Sequence, residues 1–483
     1  MIIARFKGLA WASILVASCL CGVGTPAAAQ LETRSELETN LGPNSVVVSD
    51  FNRDGKMDIA VASYYGVTSP PGVQIFLGKG DGTFGPPAIY DANNGAGAMA
   101  VADFNHDGTP DLVAVNEAGA FVSVLLGNGD GTFQGPVNYG VPGGPAGIVV
   151  GDFNDDGNLD IATTDQYDGT CYCVSILLGN GDGTFREPPI TTPLSKAYPE
   201  SLVAGHFDGD KNLDLAVTLN FESQGEVQIL LGNGDGTFRL GNSYAVTPDS
   251  GAIIAADFRK NGKTDLAVAE FEGMGVAVLL GNGDGTFQQP LVYEVVSSLA
   301  VAAADMNGDG IPDLVAVSVG SSSGSAAVLL GNGDGTFQNA TIYPAGEFPN
   351  ALAVADFNGD HRPDITIVDQ TGSRQYVLLN TGAVALSPTT PLAFKKQQHG
   401  TTSAPQTVTL TNTGKIELKI SAIKAAGQFG VGSTCGASVA AGANCTISVT
   451  FSPKTQGAKS GTVTINDSAS SKPQVIELSG TGT

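Results

Sequence analysis

A chain of 483 residues, 42% hydrophobic and 14% charged, can support two or more cored domains and is too apolar to be disordered. Its formal net charge of −24 argues against nucleic acid or an anionic membrane surface as a partner. The 65 glycines fall in regularly spaced turns, so they read as hairpin punctuation and not as low complexity.

Residues 1–29 read as an export signal. Arg5 and Lys7 charge its start, Leu9 to Val23 is an apolar run too short to span a bilayer comfortably, and Ala27-Ala28-Ala29 precedes Gln30. The expected destination is the periplasm or the exterior, with lipid attachment at Cys19 as the alternative, and no transmembrane span is expected further on. Export makes disulfides permissible. Cys435 and Cys445 bracket a turn-rich stretch and are expected to bridge, whereas for Cys171 and Cys173 a bridge and two buried thiols are both open.

From Asp50 onward one acidic pattern, D-x-N-x-D-G-x-x-D, recurs seven times, beginning at Asp50, Asp103, Asp152, His206, Asp257, Asp305 and Asp356. Oxygen ligands at alternate positions, glycine at the sixth and a carboxylate at the ninth are how a short chain wraps a hard divalent cation. The first loop offers Asp50, Asn52, Asp54 and Asp58, with the carbonyl of Lys56 at position 7. The second offers Asp103, Asn105, Asp107, Thr109 and Asp111, and the third Asp152, Asn154, Asp156, Asn158 and Asp160. The sixth offers Asp305, Asn307, Asp309, Ile311 and Asp313; the seventh offers Asp356, Asn358, Asp360, Arg362 and Asp364, with His361 where glycine belongs. The fourth has His206 at position 1 and Lys211 at position 6, leaving Asp208, Asp210 and Asp214, and imidazole suits a hard cation poorly. The fifth has Arg259 at position 3 and Asn261 at position 5, and an arginine there can replace the metal's charge. Ca²⁺ is therefore expected in five loops and not in the fifth, with the fourth left open. The alternative is that these aspartates only cap turns by accepting backbone N–H bonds.

Around each loop the order of parts repeats. An apolar run precedes it, an alternating strand follows, a variable connection leads to a third strand, and then comes a turn of the form L-G-N-G-D-G-T-F, as at Leu126–Phe133. That turn is expected to be structural, with its phenylalanine packed between units. A fourth strand closes each unit. Four short antiparallel strands per unit, seven times over, predict an all-β chain whose main part is a seven-bladed β-propeller, with a solenoid of the same repeat as the alternative. The last unit lacks a fourth strand, and the segment Thr33 to Leu41 is expected to supply it and close the ring.

The DFNxDGxxD loop and the LLGNGDGTF turn resemble the VCBS and FG-GAP-like repeats, relatives of the integrin α-subunit propeller. The resemblance covers Leu31 to Asn380 and implies a propeller fold and Ca²⁺ binding. It leaves the ligand unnamed, since the family includes adhesins, lectin-like modules and propellers attached to polysaccharide-degrading enzymes. After Ala383 the repeats stop, and seven short strand candidates predict an immunoglobulin-like β-sandwich. Its pattern, including TLTNTG and GANCTISVTFSP, is similar to the ASPM/SPD-2/hydin-like Ig-like domains. The expected organisation is signal 1–29, propeller 30–382 and sandwich 383–483.

No P-loop, H-E-x-x-H or C-x-x-C pattern is present, and Gly320 to Gly324 matches G-x-S-x-G only in a serine-rich connection. The expectation is a non-enzymatic, monomeric, exported module that binds an extracellular glycan or protein. The alternative is a carbohydrate-active enzyme, lyase or hydrolase-like, working on the propeller face. The ligand is expected opposite the metal loops, where the variable connections carry Tyr64, Tyr65, Asn116, Glu117, Asp165, Tyr167, Asn220, Phe221, Glu270 and Phe271.

Overall fold

A computed structural model describes residues 31–63, 72–92, 96–166, 171–194, 197–221, 224–272, 275–320, 323–359, 361–380, 384–388, 391–412, 418–467 and 473–483. The expected export signal with Cys19, and also Tyr64, Tyr65, Tyr167 and Asp360, lie outside the described residues.

The first blade shows how each unit is built. Strands β2 (Pro43–Ser49), β3 (Asp58–Ser63), β4 (Gly72–Phe76) and β5 (Ala88–Asp91) pair antiparallel in chain order. Five more four-stranded sheets repeat this order, ending at Gly140, Pro193, Val246, Glu294 and Pro344. The seventh takes its outer strand from the start of the described chain: β1 (Leu31–Glu38) pairs antiparallel with Arg374–Asn380. The protein is therefore all-β, a seven-bladed propeller followed by an Ig-like sandwich.

The first strands of successive blades lie side by side around the ring, and β2 meets Pro349–Ala355 of the seventh blade to complete it. At that seam Asn350 donates its side-chain amide to the Pro43 carbonyl at 3.1 Å, and the Gly82 N–H donates to the Phe357 carbonyl at 3.0 Å. Closure leaves no strand edge exposed between the ends of the ring.

The second strands were expected to alternate between buried and exposed faces. Instead every residue of Asp58–Ser63, Asp111–Asn116 and Asp265–Glu270 is buried. Blades stack face to face, so a middle strand is covered on both sides, and the small-large alternation of Ile-Ala-Val-Ala fits a gap of varying width. The cores accordingly form between blades. One unites Phe51, Ala60 and Ile75 of the first with Leu112 and Phe133 of the second.

The sandwich packs Val384–Ser387, Gln406–Asn412, Asn444–Phe451 and Phe429–Ser433 against a second sheet containing Leu418–Ala425, Gly457–Asp467 and Gln474–Gly482. Phe429 and Phe451 stack with ring centroids 4.9 Å apart, and Phe394 leans on both. Cys435 is bridged to Cys445, and Cys171 to Cys173.

Because β1 supplies one quarter of the seventh sheet, a protein starting at residue 42 is expected to lose or sharply lower the propeller's melting transition. The sandwich has its own core and its transition should stay where it was. Scanning calorimetry of the two proteins checks this.

Candidate metal centres

Each acidic loop is a backbone turn held by its own oxygens. In the first loop the Asp54 N–H donates to Asp50 Oδ1 and to Asn52 Oδ1, both at 3.0 Å. The Gly55 N–H donates to Asp50 Oδ2 at 2.7 Å, and the Lys56 N–H to Asp54 Oδ1 at 3.0 Å. The same four bonds recur at Asp103, Asn105, Asp107 and Thr109, at Asp152, Asn154, Asp156 and Asn158, and at Asp305, Asn307, Asp309 and Ile311. The turn-capping role therefore exists. It also brings two side-chain oxygens, such as Asp50 Oδ1 and Asn52 Oδ1, to one N–H, and each accepted N–H uses only one lone pair of its acceptor. Among the described residues, three carboxylates converge within 4.8 Å only in the fourth loop.

Sequence reasoning identified the glycine at position 6 and missed a second left-handed residue at position 4. Arg53, His106, Asp155 and Lys260 have φ between 51° and 58°, and Gly209, Gly308 and Gly359 fill that position in the other loops. Non-glycine residues tolerate this conformation at some cost, so composition does not flag it.

Position 9 is a different kind of carboxylate. Asp58, Asp111, Asp160, Asp214, Asp265, Asp313 and Asp364 are all fully buried. Asp58 Oδ2 accepts the Phe51 N–H at 2.9 Å, while Oδ1 accepts the N–H of Gly78, which opens the blade's second turn, at 2.7 Å. The pair recurs at Asp111, Asp160, Asp214 and Asp313. This is why the turn begins with glycine: a Cβ on Gly78 would lie 2.2 Å from the Met57 carbonyl oxygen. Burial pushes the carboxyls of Asp58 and Asp160 up to about 6 and that of Asp313 to about 7. The backbone bonds oppose the shift, and the neighbouring loop aspartates add to it.

Three loops depart from this scheme. In the fifth, Arg259 enters the loop and forks onto Asp265, Nη2 to Oδ1 at 2.5 Å and Nε to Oδ2 at 3.2 Å. It also donates to the Gly281 carbonyl at 2.5 Å. Burial raises Asp265, and the arginine opposes that rise. In the fourth, Asp208, Asp210 and Asp214 bring carboxylate oxygens within 4.8 Å of one another. His206 Nδ1 lies 2.9 Å from the position-7 carbonyl of Asn212, and Arg239 pairs with Asp208 at 3.1 Å. In the seventh, Asp356 accepts the Gly359 and His361 N–H groups at 2.7 and 2.8 Å, and His361 adopts φ 64°.

The donors are oxygens apart from His206, which fits a hard cation. The buried carboxylates of Asp58, Asp160 and Asp313 have acidic neighbours in their own loops, and in the fifth loop a guanidinium meets the matching carboxylate.

The L-G-N-G-D-G-T-F turns meet these loops from the adjacent blade. The Gly131, Gly183, Gly236 and Gly285 N–H groups donate to the carbonyls of Phe51, Phe104, Phe153 and Phe207. Each turn's phenylalanine packs edge-on against the loop phenylalanine next door, as Phe133 does on Phe51 with centroids 5.5 Å apart. Within each turn the aspartate is held by the following threonine, as Asp130 is by Thr132.

On the opposite face the structure corrects the expected row of ligand-contacting residues. Asn116, Asp165 and Glu270 are fully buried. Asn116 bonds Ser123, Asp165 accepts from Thr163 and Ser175, and Glu270 accepts the Thr247 N–H. Asn220 exchanges two bonds with Ser250 of the next blade. These polar groups end second strands that are covered on both faces, so they serve the blade interior. Phe221 and Phe271 are half-buried, and Glu117 is exposed. An aromatic pair that the sequence reading missed, Tyr172 and Tyr198, meets edge-on at 5.4 Å, with Tyr198 45% exposed.

Fold and loops together define a closed propeller whose blades each carry one acidic loop. Models of the FG-GAP-like repeat match residues 50–114, 103–163, 206–268, 257–316 and 305–367. The chain belongs to the FG-GAP-like repeat family. Its C-terminal region, residues 382–475, matches the family described as Abnormal spindle-like microcephaly-assoc'd, ASPM-SPD-2-Hydin. No curated protein matches the sequence. Among solved structures the chain is similar to the V. cholerae biofilm matrix protein Bap1, at 12% identity over 74% of this chain and 92% of that one, TM-score 0.41. It is also similar to a functionally unknown protein from Desulfotomaculum acetoxidans DSM 771, at 11% identity over 71% and 93%, TM-score 0.45. The ASH / PapD-like domain of human CEP192 aligns at 14% identity over 21% and 85%, TM-score 0.17.

Replacing Arg259 by methionine strands the buried Asp265 carboxylate, and is expected to cost the propeller about 3–5 kcal/mol in denaturant unfolding. The loss should be the same with and without chelator. A second outcome concerns pH. Burial raises Asp165 to about 7, against hydrogen bonds from Ser175 and Thr163. A carboxyl raised on folding favours the native state below its ordinary value near 4, and that contribution is lost as pH climbs through about 7. Urea unfolding of Asp165→Asn across this range should show a flatter pH dependence than the wild type, with the difference confined to that window.

Proposed function

We propose that this is an exported, calcium-binding propeller that acts as a non-enzymatic binding or adhesion module at the bacterial cell surface or outside the cell. The observation that carries the metal reading is the fifth loop: where a guanidinium replaces the position-3 oxygen donor, it pairs with the buried position-9 carboxylate. The other loops have an oxygen donor at that position and the same buried aspartate. Ca²⁺ would be held there by Asp50, Asn52, Asp54 and Asp58 and by the matching residues of the second, third, sixth and seventh loops. It would neutralise carboxylates that repel one another. The fourth loop joins the candidates, because its three carboxylates converge although His206 and Arg239 take up two of its oxygens.

The ligand in this reading is an extracellular glycan or protein that meets the face opposite the metals. Glu117 and the Tyr172–Tyr198 pair are the groups there that favour it, since an exposed ring can stack on a sugar or anchor a protein contact. The metal loops and the Gly-Asn-Gly-Asp turns are tied to one another across blades, which suits them to holding the ring.

Chelation should lower the propeller's melting transition, millimolar Ca²⁺ should raise it, and the sandwich transition should not move. Extracellular Ca²⁺ modules bind at about 10⁻⁴–10⁻³ M, so millimolar ion is the right range. Asp107→Ala is expected to remove one bound Ca²⁺ by calorimetric titration, and Asn261→Ala none; a propeller indifferent to EDTA would sink the metal reading. A glycan array probed with and without Ca²⁺ tests the binding reading, and the loss of any signal in Tyr198→Ala would locate it.

A further inference from the structure

The left-handed residue at position 4 has a consequence for the metal loops, because its backbone aims its side chain away from its own loop and onto the next blade. Arg53, in the first loop, reaches the second: its Nη2 lies 3.8 Å from where a Cβ on Gly108 would stand, and its Cδ 3.4 Å from one on Gly129. The Arg53 guanidinium is also within electrostatic reach of the Asp107 carboxylate in that loop. His106, in the second loop, places Nε2 3.4 Å from Asn158 Oδ1 in the third. Asp155, in the third, forms an ion pair with Lys211 in the fourth. Lys260, in the fifth, brings Nζ to 3.5 Å from a Cβ position on Gly310 in the sixth. Gly308 and Gly359 fill the same position in the last two loops and bring no charge to a neighbour.

We propose that the residue at position 4 of each acidic loop sets the cation affinity of the loop in the following blade, so that the metal sites form a graded series. This rests on the calcium reading above. A divalent ion in the second loop would share its surroundings with the Arg53 guanidinium, and one in the sixth with the Lys260 ammonium. Both charges oppose binding. Asp155 acts in the other sense, neutralising a lysine that sits within the fourth loop. The seventh loop receives a glycine from the sixth and no charge. Oxygen donors that are nearly identical in the second, third and sixth loops would then bind with different strengths, ordered by the preceding blade.

The sharpest test is at Arg53, which donates no ligand to its own loop. Calcium titration calorimetry would compare the wild type, Arg53→Gln and Arg53→Lys, each alone and with Asp107→Ala. Arg53→Gln is expected to tighten one site by roughly three- to tenfold at low salt, with less effect at high salt, as for a partly screened charge. Arg53→Lys should keep wild-type affinity, and the gain should vanish when Asp107→Ala removes the second site. If calcium binds and Arg53→Gln leaves every site unchanged, or if the gain survives Asp107→Ala, the coupling is wrong while the calcium reading stands. If the wild type binds no calcium, the calcium reading fails, and this inference with it.

Discussion

The structure depends on one buried carboxylate in each blade. At the head of the second strand an aspartate with no exposure to water accepts one N–H from the acidic loop before it and, in most blades, one from the glycine that opens the second turn. It therefore fixes the two turns on one face relative to each other. In five blades the second turn then donates to the carbonyl of the preceding blade's loop phenylalanine, so the clamp inside one blade becomes the latch between two. An ionised group in that position must be met by positive charge or by enough donors to hold it. The protein uses backbone amides throughout, and in the fifth blade a guanidinium as well.

The same arrangement accounts for how the ring ends. The seventh blade has no second turn, yet the Asn380 N–H donates to Asp364 where a glycine would, and the Asn380 side chain reaches the Met306 carbonyl at 2.7 Å. One residue thus replaces both functions of the missing turn. The outer strand comes from Leu31–Glu38, and the first blade's turn bonds Phe357 as other turns bond their neighbours. The chain closes without a special interface, since the seam repeats the contacts used elsewhere around the ring.

The two faces are unequal in kind. On the side of the acidic loops, loops and turns are nearly uniform and bonded across blades. On the other side the second strands end in buried polar groups that differ from blade to blade, Asn116, Asp165, Glu270 and Asp369 among them. Asp369 accepts the Glu347 and Phe348 N–H groups of the connection entering its blade, and Glu270 accepts the Thr247 N–H of the connection entering its own, so these two carboxylates tie their connections down. Their variety looked like recognition in the sequence and serves the interior in the structure.

Much of the architecture was legible in the chain because it is periodic. Most repeats carry the same loop and turn chemistry, and a missing fourth strand at one end with a spare strand at the other announces ring closure. The alternating oxygen-bearing side chains of the loops were legible too, since their spacing is local, and Arg259 was expected among the carboxylates of its loop; its pairing with Asp265 came from the structure. What the tertiary structure decided is non-local. Burial of the second strands on both faces follows from blade stacking, which turns an alternating strand into a wholly buried one and moves Asn116, Asp165 and Glu270 from an expected surface into the core. The meeting of Asp208, Asp210 and Asp214 accompanies a left-handed Gly209, φ 81°, and the spacing of the three residues alone does not dictate it. The reach of Arg53 into the next loop exists only once the ring has set two blades side by side.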